Sequence, residues 1–122
     1  MDVQFRFRGL EPSLYLKEHA RRRLEFQLAP FSHEVRSVYV TLTDVNGPKG
    51  GLDMKCLVTV RSRHLATIAV EELAADAYAA IDVAIARAAR AVARRLGRRH
   101  DQARRAAGGY RAASSGFDLP VS

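Results

Sequence analysis

The sequence is poor in cysteine, in tryptophan and in acidic residues. It has one cysteine, no tryptophan, and 13 Asp and Glu against 20 Lys and Arg. A single cysteine, Cys56, excludes an internal disulfide bond and suits a reducing compartment. No apolar run approaches the length of a membrane span, and the alternating N-terminus lacks the apolar core of a signal peptide. We therefore expect a cytoplasmic protein without a membrane partner.

Residue patterns that carry catalysis or hold a metal are also sparse. The four histidines, at positions 19, 33, 64 and 100, lie in separate predicted elements and lack the spacing of metal ligands. No serine stands in a nucleophile-elbow motif, and the glycine-rich segment around Lys49 lacks the phosphate-loop pattern. Asp76 and Asp82 lie about 120° apart on a helix and form no catalytic pair. The sequence predicts no enzyme, cofactor, metal or small-molecule substrate.

Positive charge is concentrated near the C-terminus. Residues 1–83 balance to zero, whereas residues 84–122 contain nine arginines and two aspartates and account for the whole net charge of +7. Such an array on a small domain is typical of a protein that binds a polyanion, most often nucleic acid. Arginine also suits this task, because its planar guanidinium matches phosphate geometry.

Residue periodicity predicts the element order β-α-β-β-β-α. Alternation predicts strands over 2–8, 35–43, 54–60 and 65–70, the last three forming an antiparallel meander. Ser13 is the candidate N-cap of a first helix that runs to about Leu28. A second helix is predicted from near Glu72 to Leu96 or just beyond, with Gly97 ending or fraying it.

These elements predict a single α+β domain, in which two helices cover one face of a four-stranded sheet. We expect a folded domain over 1–99 and a flexible basic tail over 100–122, because the tail is rich in Ala, Gly, Ser and Arg. Cys56 alternates with Val58 and Val60 on the third strand, so it is predicted to be an inert core thiol.

The second predicted helix separates apolar residues from arginines. Its apolar stripe comprises Tyr78, Ile81, Ile85, Ala89, Val92 and Leu96. Arg87, Arg90, Arg94 and Arg98 cluster on the opposite side, and Arg95 and Arg99 flank the stripe. No acid lies between Arg87 and Arg99, so like charges four residues apart repel by about 0.2–0.5 kcal/mol each. A merely solvated face usually mixes charge signs, so the array is predicted to contact phosphates.

Other basic residues have two open interpretations. Arg21, Arg22 and Arg23 on the first helix either contact RNA or pair with the nearby Glu18 and Glu25. Arg6 and Arg8 point away from Phe5 and Phe7, onto a sheet surface that either faces RNA or faces solvent. Tyr78 is predicted to be a core aromatic, because it belongs to the apolar stripe.

The order of elements, the segment Asp76-Ala77-Tyr78-Ala79-Ala80-Ile81-Asp82 and the basic helix after it resemble the ribosome-hibernation family. That family includes hibernation-promoting factor and the ribosome-associated inhibitor RaiA, also called ribosomal subunit interface protein or sigma-54 modulation protein. The capped first helix, with Ser13, Leu16, Lys17, Leu24 and Phe31, fits the same pattern. The resemblance covers roughly residues 2–99.

The resemblance implies a non-enzymatic stress factor. Members bind the small ribosomal subunit and its rRNA in the channel used by messenger and transfer RNA, and they keep ribosomes idle. The expected RNA-binding residues are Arg87, Arg90, Arg94 and Arg98, with Arg95, Arg21, Arg22, Lys17 and Lys49 in support. The inducing condition, the free oligomeric state, the role of the tail and the effect on ribosome pairing stay open.

Two alternatives also stay open. The order α-β-β-β-α is that of the double-stranded RNA-binding domain, although the acidic start of the second predicted helix argues against it. A regulator that binds another protein and does not act on the ribosome is the alternative from a different class.

Overall fold

The computed structural model describes residues 1–46 and 53–115, with side chains described as far as residue 107. Strand β1, Asp2–Arg8, precedes helix α1, Leu14–Leu28, and a short 3-10 turn, Ala29–Phe31. Strands β2, Val35–Asp44, β3, Met54–Ser62, and β4, Ile68–Ala74, follow. Helix α2 spans Ala77–Ser115. This order confirms the predicted β-α-β-β-β-α arrangement.

The strands form one mixed sheet in the order β1-β2-β3-β4. β2, β3 and β4 are antiparallel neighbours, as the predicted meander requires. β1 pairs with β2 in parallel, from Asp2 opposite Ser37 to Arg8 opposite Thr43. A parallel pair requires a crossover connection, and α1 supplies it. The α+β class is confirmed.

Both helices pack on the same face of the sheet. Leu16 and Ala20 of α1 and Ile81 of α2 line one small cavity together with Val40 and Leu42 of β2. The core that they share is made of the following buried side chains: Leu24 and Leu28 of α1; Val38 of β2; Cys56, Val58 and Val60 of β3; Ile68 and Val70 of β4; and Ala80, Ala84, Ile85, Ala88 and Val92 of α2. The other face of the sheet carries mostly polar and charged side chains together with Leu57, Ala69 and Leu73.

The start of α1 is fixed by a cap and by a glycine turn. The Ser13 hydroxyl accepts the backbone N–H of Leu16 at 3.2 Å, which confirms Ser13 as the N-cap. Gly9, at the end of β1, has a φ of 75°, a conformation that favours glycine. A Cβ atom there would also lie 3.1 Å from the carbonyl oxygen of Asp44. The chain therefore turns closely past the end of β2 before the helix begins.

Some predicted bounds are wrong. β4 spans Ile68–Ala74 instead of 65–70, so Glu72 lies on a strand and not at the start of the second helix. α2 begins at Ala77, where the Asp76 carboxylate accepts the N–H of Ala79 at 3.1 Å. The helix also continues through Gly97. A glycine inside a helix costs about 1 kcal/mol, but the surrounding alanines and arginines are strong helix formers that offset this cost.

The chain divides into two compact units, Met1–Val92 and a second that begins at Ala93, so α2 contributes to both. The expected division at residue 99 and the flexibility of residues 100–122 stay predictions. Within residues 1–46 and 53–115, no helix combines the length and apolarity that a membrane span requires.

Candidate nucleic-acid interface

Two basic side chains of α1 lie over the aromatic rings of β1. The Lys17 Nζ atom is 6.0 Å from the centroid of Phe7, and the Arg21 Cζ atom is 5.5 Å from the centroid of Phe5. Contacts of this kind attract a cation to the negative face of the ring. They hold both cations beside the strand instead of leaving them to swing in solvent.

The pairing follows from the spacing of the two elements. Lys17 and Arg21 are one helical turn apart, about 6 Å along the axis. Phe5 and Phe7 are two strand residues apart, about 6.6–6.8 Å. The two steps match, so one turn of α1 places a cation over each ring. Both spacings can be read from the sequence. The sequence does not show how α1 and β1 are oriented relative to each other.

Arg6 and Arg8 lie on the other face of the same strand. Both are exposed, and they alternate with the half-buried Phe5 and Phe7. We call Arg6, Arg8, Lys17 and Arg21 the basic ridge. None of these four residues has an acidic partner in the part of the chain that the structure describes. The ridge thus carries four uncompensated positive charges.

The ridge follows an edge of the sheet. Among the described strands, β1 pairs only with β2, so the backbone along its other edge is unpaired. Unpaired strand N–H groups are hydrogen-bond donors, and the flanking cations favour an anionic acceptor. This edge therefore combines charge and hydrogen-bond donors over the length of a seven-residue strand.

The other two arginines of the α1 triplet have acidic partners. The Arg22 Nε atom lies 3.6 Å from Glu18, four residues earlier, which is the intrahelical pairing that the sequence left open. The Arg23 Nε atom lies 3.5 Å from Asp82 of α2. Arg21, Arg22 and Arg23 therefore lie in three different surroundings, and only Arg21 belongs to the basic ridge.

Asp82 connects the two helices. Its Oδ1 atom also lies 2.6 Å from Nε2 of His19. The His19 ring meets Tyr78 edge-on, with the ring centroids 5.0 Å apart. Tyr78 is 40% exposed, so its predicted place in the core is wrong. Alanines together with Ile81, Ile85 and Val92 fill the buried stripe of α2, whereas Tyr78 meets His19 of α1.

Arg87 lies at the opposite edge of the sheet. Its guanidinium pairs with the carboxylate of Glu72 and lies 3.4 Å from the carbonyl oxygen of Glu71, both on β4. β4 is three strand spacings from β1, which is about 14 Å. The predicted RNA-binding residues Arg87 and Arg21 therefore do not share one surface, and Arg87 is partly neutralised.

The remaining candidates differ in their surroundings. Arg90 is exposed on α2 and has no acidic partner among the described residues. In the second unit, Arg94 and Arg98 are exposed one turn apart, and Arg95 is half-buried. Further along, Arg104 pairs with Asp101. Lys49 lies outside the described residues.

Two ionisable groups in the first unit have shifted pKa values. Burial raises the pKa of the Cys56 thiol to about 12, which agrees with its expected role as an inert core residue. Burial also acts to raise the pKa of Glu34, but hydrogen bonds from the ring and backbone N–H of His64 outweigh it, and the net pKa is lowered. Within the described residues, no cluster of three or more His, Cys, Asp or Glu is placed to hold a metal ion.

The fold and the basic ridge define a small α+β domain with a cationic edge along β1. The model of the sigma-54 modulation protein / S30EA ribosomal protein family matches residues 3–100. The chain therefore belongs to that family, whose members are ribosome-associated factors and not known as an enzyme class. A comparison with curated protein sequences finds no significant match.

Two solved structures of similar fold come from the bacteria Thermus thermophilus and Coxiella burnetii. The N-terminal domain of Protein Y from Thermus thermophilus is 24% identical, with a TM-score of 0.64 over 77% of this chain and 98% of that one. A ribosomal subunit interface protein from Coxiella burnetii is 17% identical, with a TM-score of 0.68 over 79% of this chain and 98% of that one. At these identities the likeness establishes the fold.

Proposed function

We propose that the chain binds the small ribosomal subunit through its rRNA, in the channel used by messenger and transfer RNA, and keeps ribosomes idle under stress. Such a protein acts in the cytoplasm and catalyses no reaction. The observation that carries the proposal is the basic ridge, whose four cations have no acidic partner among the described residues, on a domain of a ribosome-associated family.

The mechanism is steric and electrostatic. The domain occupies space that anionic ligands would enter, and the rRNA backbone holds it there through phosphate contacts. The ridge cations Arg6, Arg8, Lys17 and Arg21 need not give up an acidic partner to reach a phosphate, so they contribute their full charge. Lys and Arg contacts to phosphate release condensed counterions, which makes such binding fall with salt.

The helix arginines divide into two groups in this proposal. Arg90 on the first unit and Arg94 and Arg98 on the second are exposed and can contact phosphate directly. Arg87 must first release Glu72, so it contributes less. Arg22, Arg95 and Lys49 keep the supporting role that the sequence predicts.

Double-stranded RNA binding is a weaker candidate. That mode of recognition needs basic residues at the N-terminus of the second helix, where they reach the phosphates. Here Asp76 caps that end, and Glu72 of the preceding strand pairs with Arg87. The local charge at this end therefore opposes a phosphate backbone.

The experiment is sedimentation of the full chain with ribosomes and separated subunits on sucrose gradients at low and high salt. We expect salt-sensitive migration with small subunits and intact ribosomes. The variant Arg90→Glu should migrate less, whereas the matched reversal Arg63→Glu, on the turn between β3 and β4, should migrate as the unmodified chain does. Absence from every ribosomal fraction at low salt would refute the proposal and favour a protein-binding regulator.

A further inference from the structure

A surface pocket lies where β2 begins and β3 ends. It is lined by Asp2, Arg36, Ser37, Arg61 and Ser62. The pocket belongs to the first unit and includes none of the basic ridge residues. Neither arginine has an acidic partner in the region that the structure describes, although Asp2 lines the same pocket.

A strand irregularity brings the two arginines to one place. Val35 is opposite Ser62 and Ser37 is opposite Arg61, so two steps on β2 match a single step on β3. Arg36 is the extra residue of this bulge. Bulges commonly redirect a side chain near a functional site. Here the bulge lets Arg36 line the same pocket as Arg61, although regular alternation would place Arg36 and Ser37 on opposite faces of the sheet.

One of the residues that line the pocket, Ser62, has a buried hydroxyl. The Ser62 Oγ atom is buried and has no hydrogen-bond partner among the described residues. An atom without solvent exposure does not reach a ligand on the surface, so this hydroxyl is not counted among the donors of the pocket. The two guanidinium groups of Arg36 and Arg61 are a donor set that typically binds a phosphate.

The neighbouring turn is held in place. The His64 backbone N–H donates to Oε2 of Glu34 at 2.6 Å, and the Arg63 backbone N–H donates to the Glu34 carbonyl oxygen at 2.9 Å. These bonds fix the chain directly after Arg61 and Ser62 to the chain directly before Arg36. The backbone next to the pocket residues is therefore held in place by the fold.

We propose that the pocket formed by Arg36, Ser37, Arg61 and Ser62 binds a phosphate group of an RNA backbone. It is a second contact, separate from the basic ridge, and it rests on the proposed function in taking RNA as the source of the phosphate. The Asp2 carboxylate also lines the pocket and repels a phosphate, so it weakens the affinity of the pocket for its ligand. This makes Asp2 a position where a substitution should tighten binding.

The test is an NMR titration of the full chain with a single-stranded oligouridylate, and in parallel with inorganic phosphate. We expect the oligonucleotide to shift the Nε–Hε resonances of Arg36 and Arg61 and the amide of Ser62. In the double variant Arg36→Gln/Arg61→Gln, the dependence of log K on log salt should be shallower by about 0.7, since the pocket holds one phosphate of a single strand. The control Arg63→Gln should retain the pocket shifts and the steeper dependence.

The variant Asp2→Asn should bind the oligonucleotide about twofold more tightly, because a repelling charge is removed. Equal salt dependence in Arg36→Gln/Arg61→Gln and Arg63→Gln would overturn the inference. So would saturation of the pocket by inorganic phosphate at concentrations where the oligonucleotide produces no shift, which would assign the pocket to free phosphate. If the unmodified chain sediments with small subunits while the pocket resonances stay still, the pocket inference fails and the proposed function stands.

Discussion

Removal of the basic ridge should make the salt dependence of small-subunit binding markedly shallower. The perturbation is the quadruple variant Arg6→Gln/Arg8→Gln/Lys17→Gln/Arg21→Gln. If each cation neutralises one phosphate, the four contribute about 2.8–3.6 to the slope of log K against log salt. Between 50 and 200 mM salt, the contribution of these four cations to the slope corresponds to a loss of affinity of about 50- to 150-fold.

The variant should stay folded. Lys17 and Arg21 lose their contacts with the rings of Phe7 and Phe5, which are worth about 0.5–1 kcal/mol each at exposed sites. Arg6 and Arg8 have no acidic partner among the described residues, so their loss should cost little. Urea denaturation should therefore show a loss of about 1–2 kcal/mol, which a domain of ordinary stability tolerates.

The assay is binding of fluorescently labelled protein to purified small subunits over a series of monovalent salt concentrations at constant magnesium. The control is Arg63→Gln/Arg105→Gln, two exposed arginines outside the ridge. We expect the slope of the quadruple variant to be shallower by about 3 and that of the control to be nearly unchanged. Equal slopes for the quadruple variant and the control would refute the assignment of the ridge.

Three further predictions concern the stability and chemistry of the first unit. Glu34→Gln should cost about 1.5–3 kcal/mol at pH 7, because Glu34 accepts charge-assisted hydrogen bonds from His64. Since folding lowers the pKa of Glu34 from its ordinary 4.5, this stabilisation is present above that pH and is lost as the pH falls through the folded-state value. Gly9→Ala should cost at least about 1 kcal/mol, because φ is 75° there and the new Cβ would crowd Asp44. Cys56 should not react with a thiol reagent at pH 8 until the chain unfolds, because it is buried and its pKa is raised to about 12.

Each of the three has a direct check. Urea denaturation at pH 7 and pH 3 compares Glu34→Gln with the exposed control Glu25→Gln, and a deficit that persists unchanged at pH 3 would contradict the role of the Glu34 charge. For Gly9→Ala, the same method should show a lower midpoint, and an unchanged midpoint would count against the strained turn. Rapid labelling of Cys56 in the native chain, at the rate seen in urea, would contradict its burial.

The sheet and the first helix were predictable because local patterns are consistent with the tertiary structure. Val38, Val40 and Leu42 alternate on β2 and are all buried, and Ser13 caps α1 as its sequence position predicts. Alternation sets which face of a strand is buried, so these elements needed no long-range information.

The end of β4 and the start of α2 were mispredicted for a tertiary reason. Glu72 resembles a residue of the first helical turn, where acids complement the helix dipole. In the structure it lies opposite Cys56 on the core-facing side of β4 and pairs with Arg87 of α2. An acid on that face is tolerated because Arg87, which is 15 residues away in the sequence, forms an ion pair with it. A local sequence pattern does not reveal such a contact.

The candidate interface was predictable in composition and not in arrangement. The sequence contains Lys17 and Arg21 at one-turn spacing and Phe5 and Phe7 at two-residue spacing, but it does not state that these pairs meet. Arg36 was missed altogether. Its position depends on a bulge, which interrupts the alternation from which the prediction started.

Competition on the ribosome tests the central claim most directly. Labelled protein bound to small subunits is challenged with messenger RNA and cognate transfer RNA at fixed salt, and the amount that stays bound is measured. If the protein occupies the channel, pre-bound messenger and transfer RNA should exclude it, and excess protein should in turn prevent their binding. Simultaneous, independent binding of the protein and both RNAs to one small subunit would contradict the account.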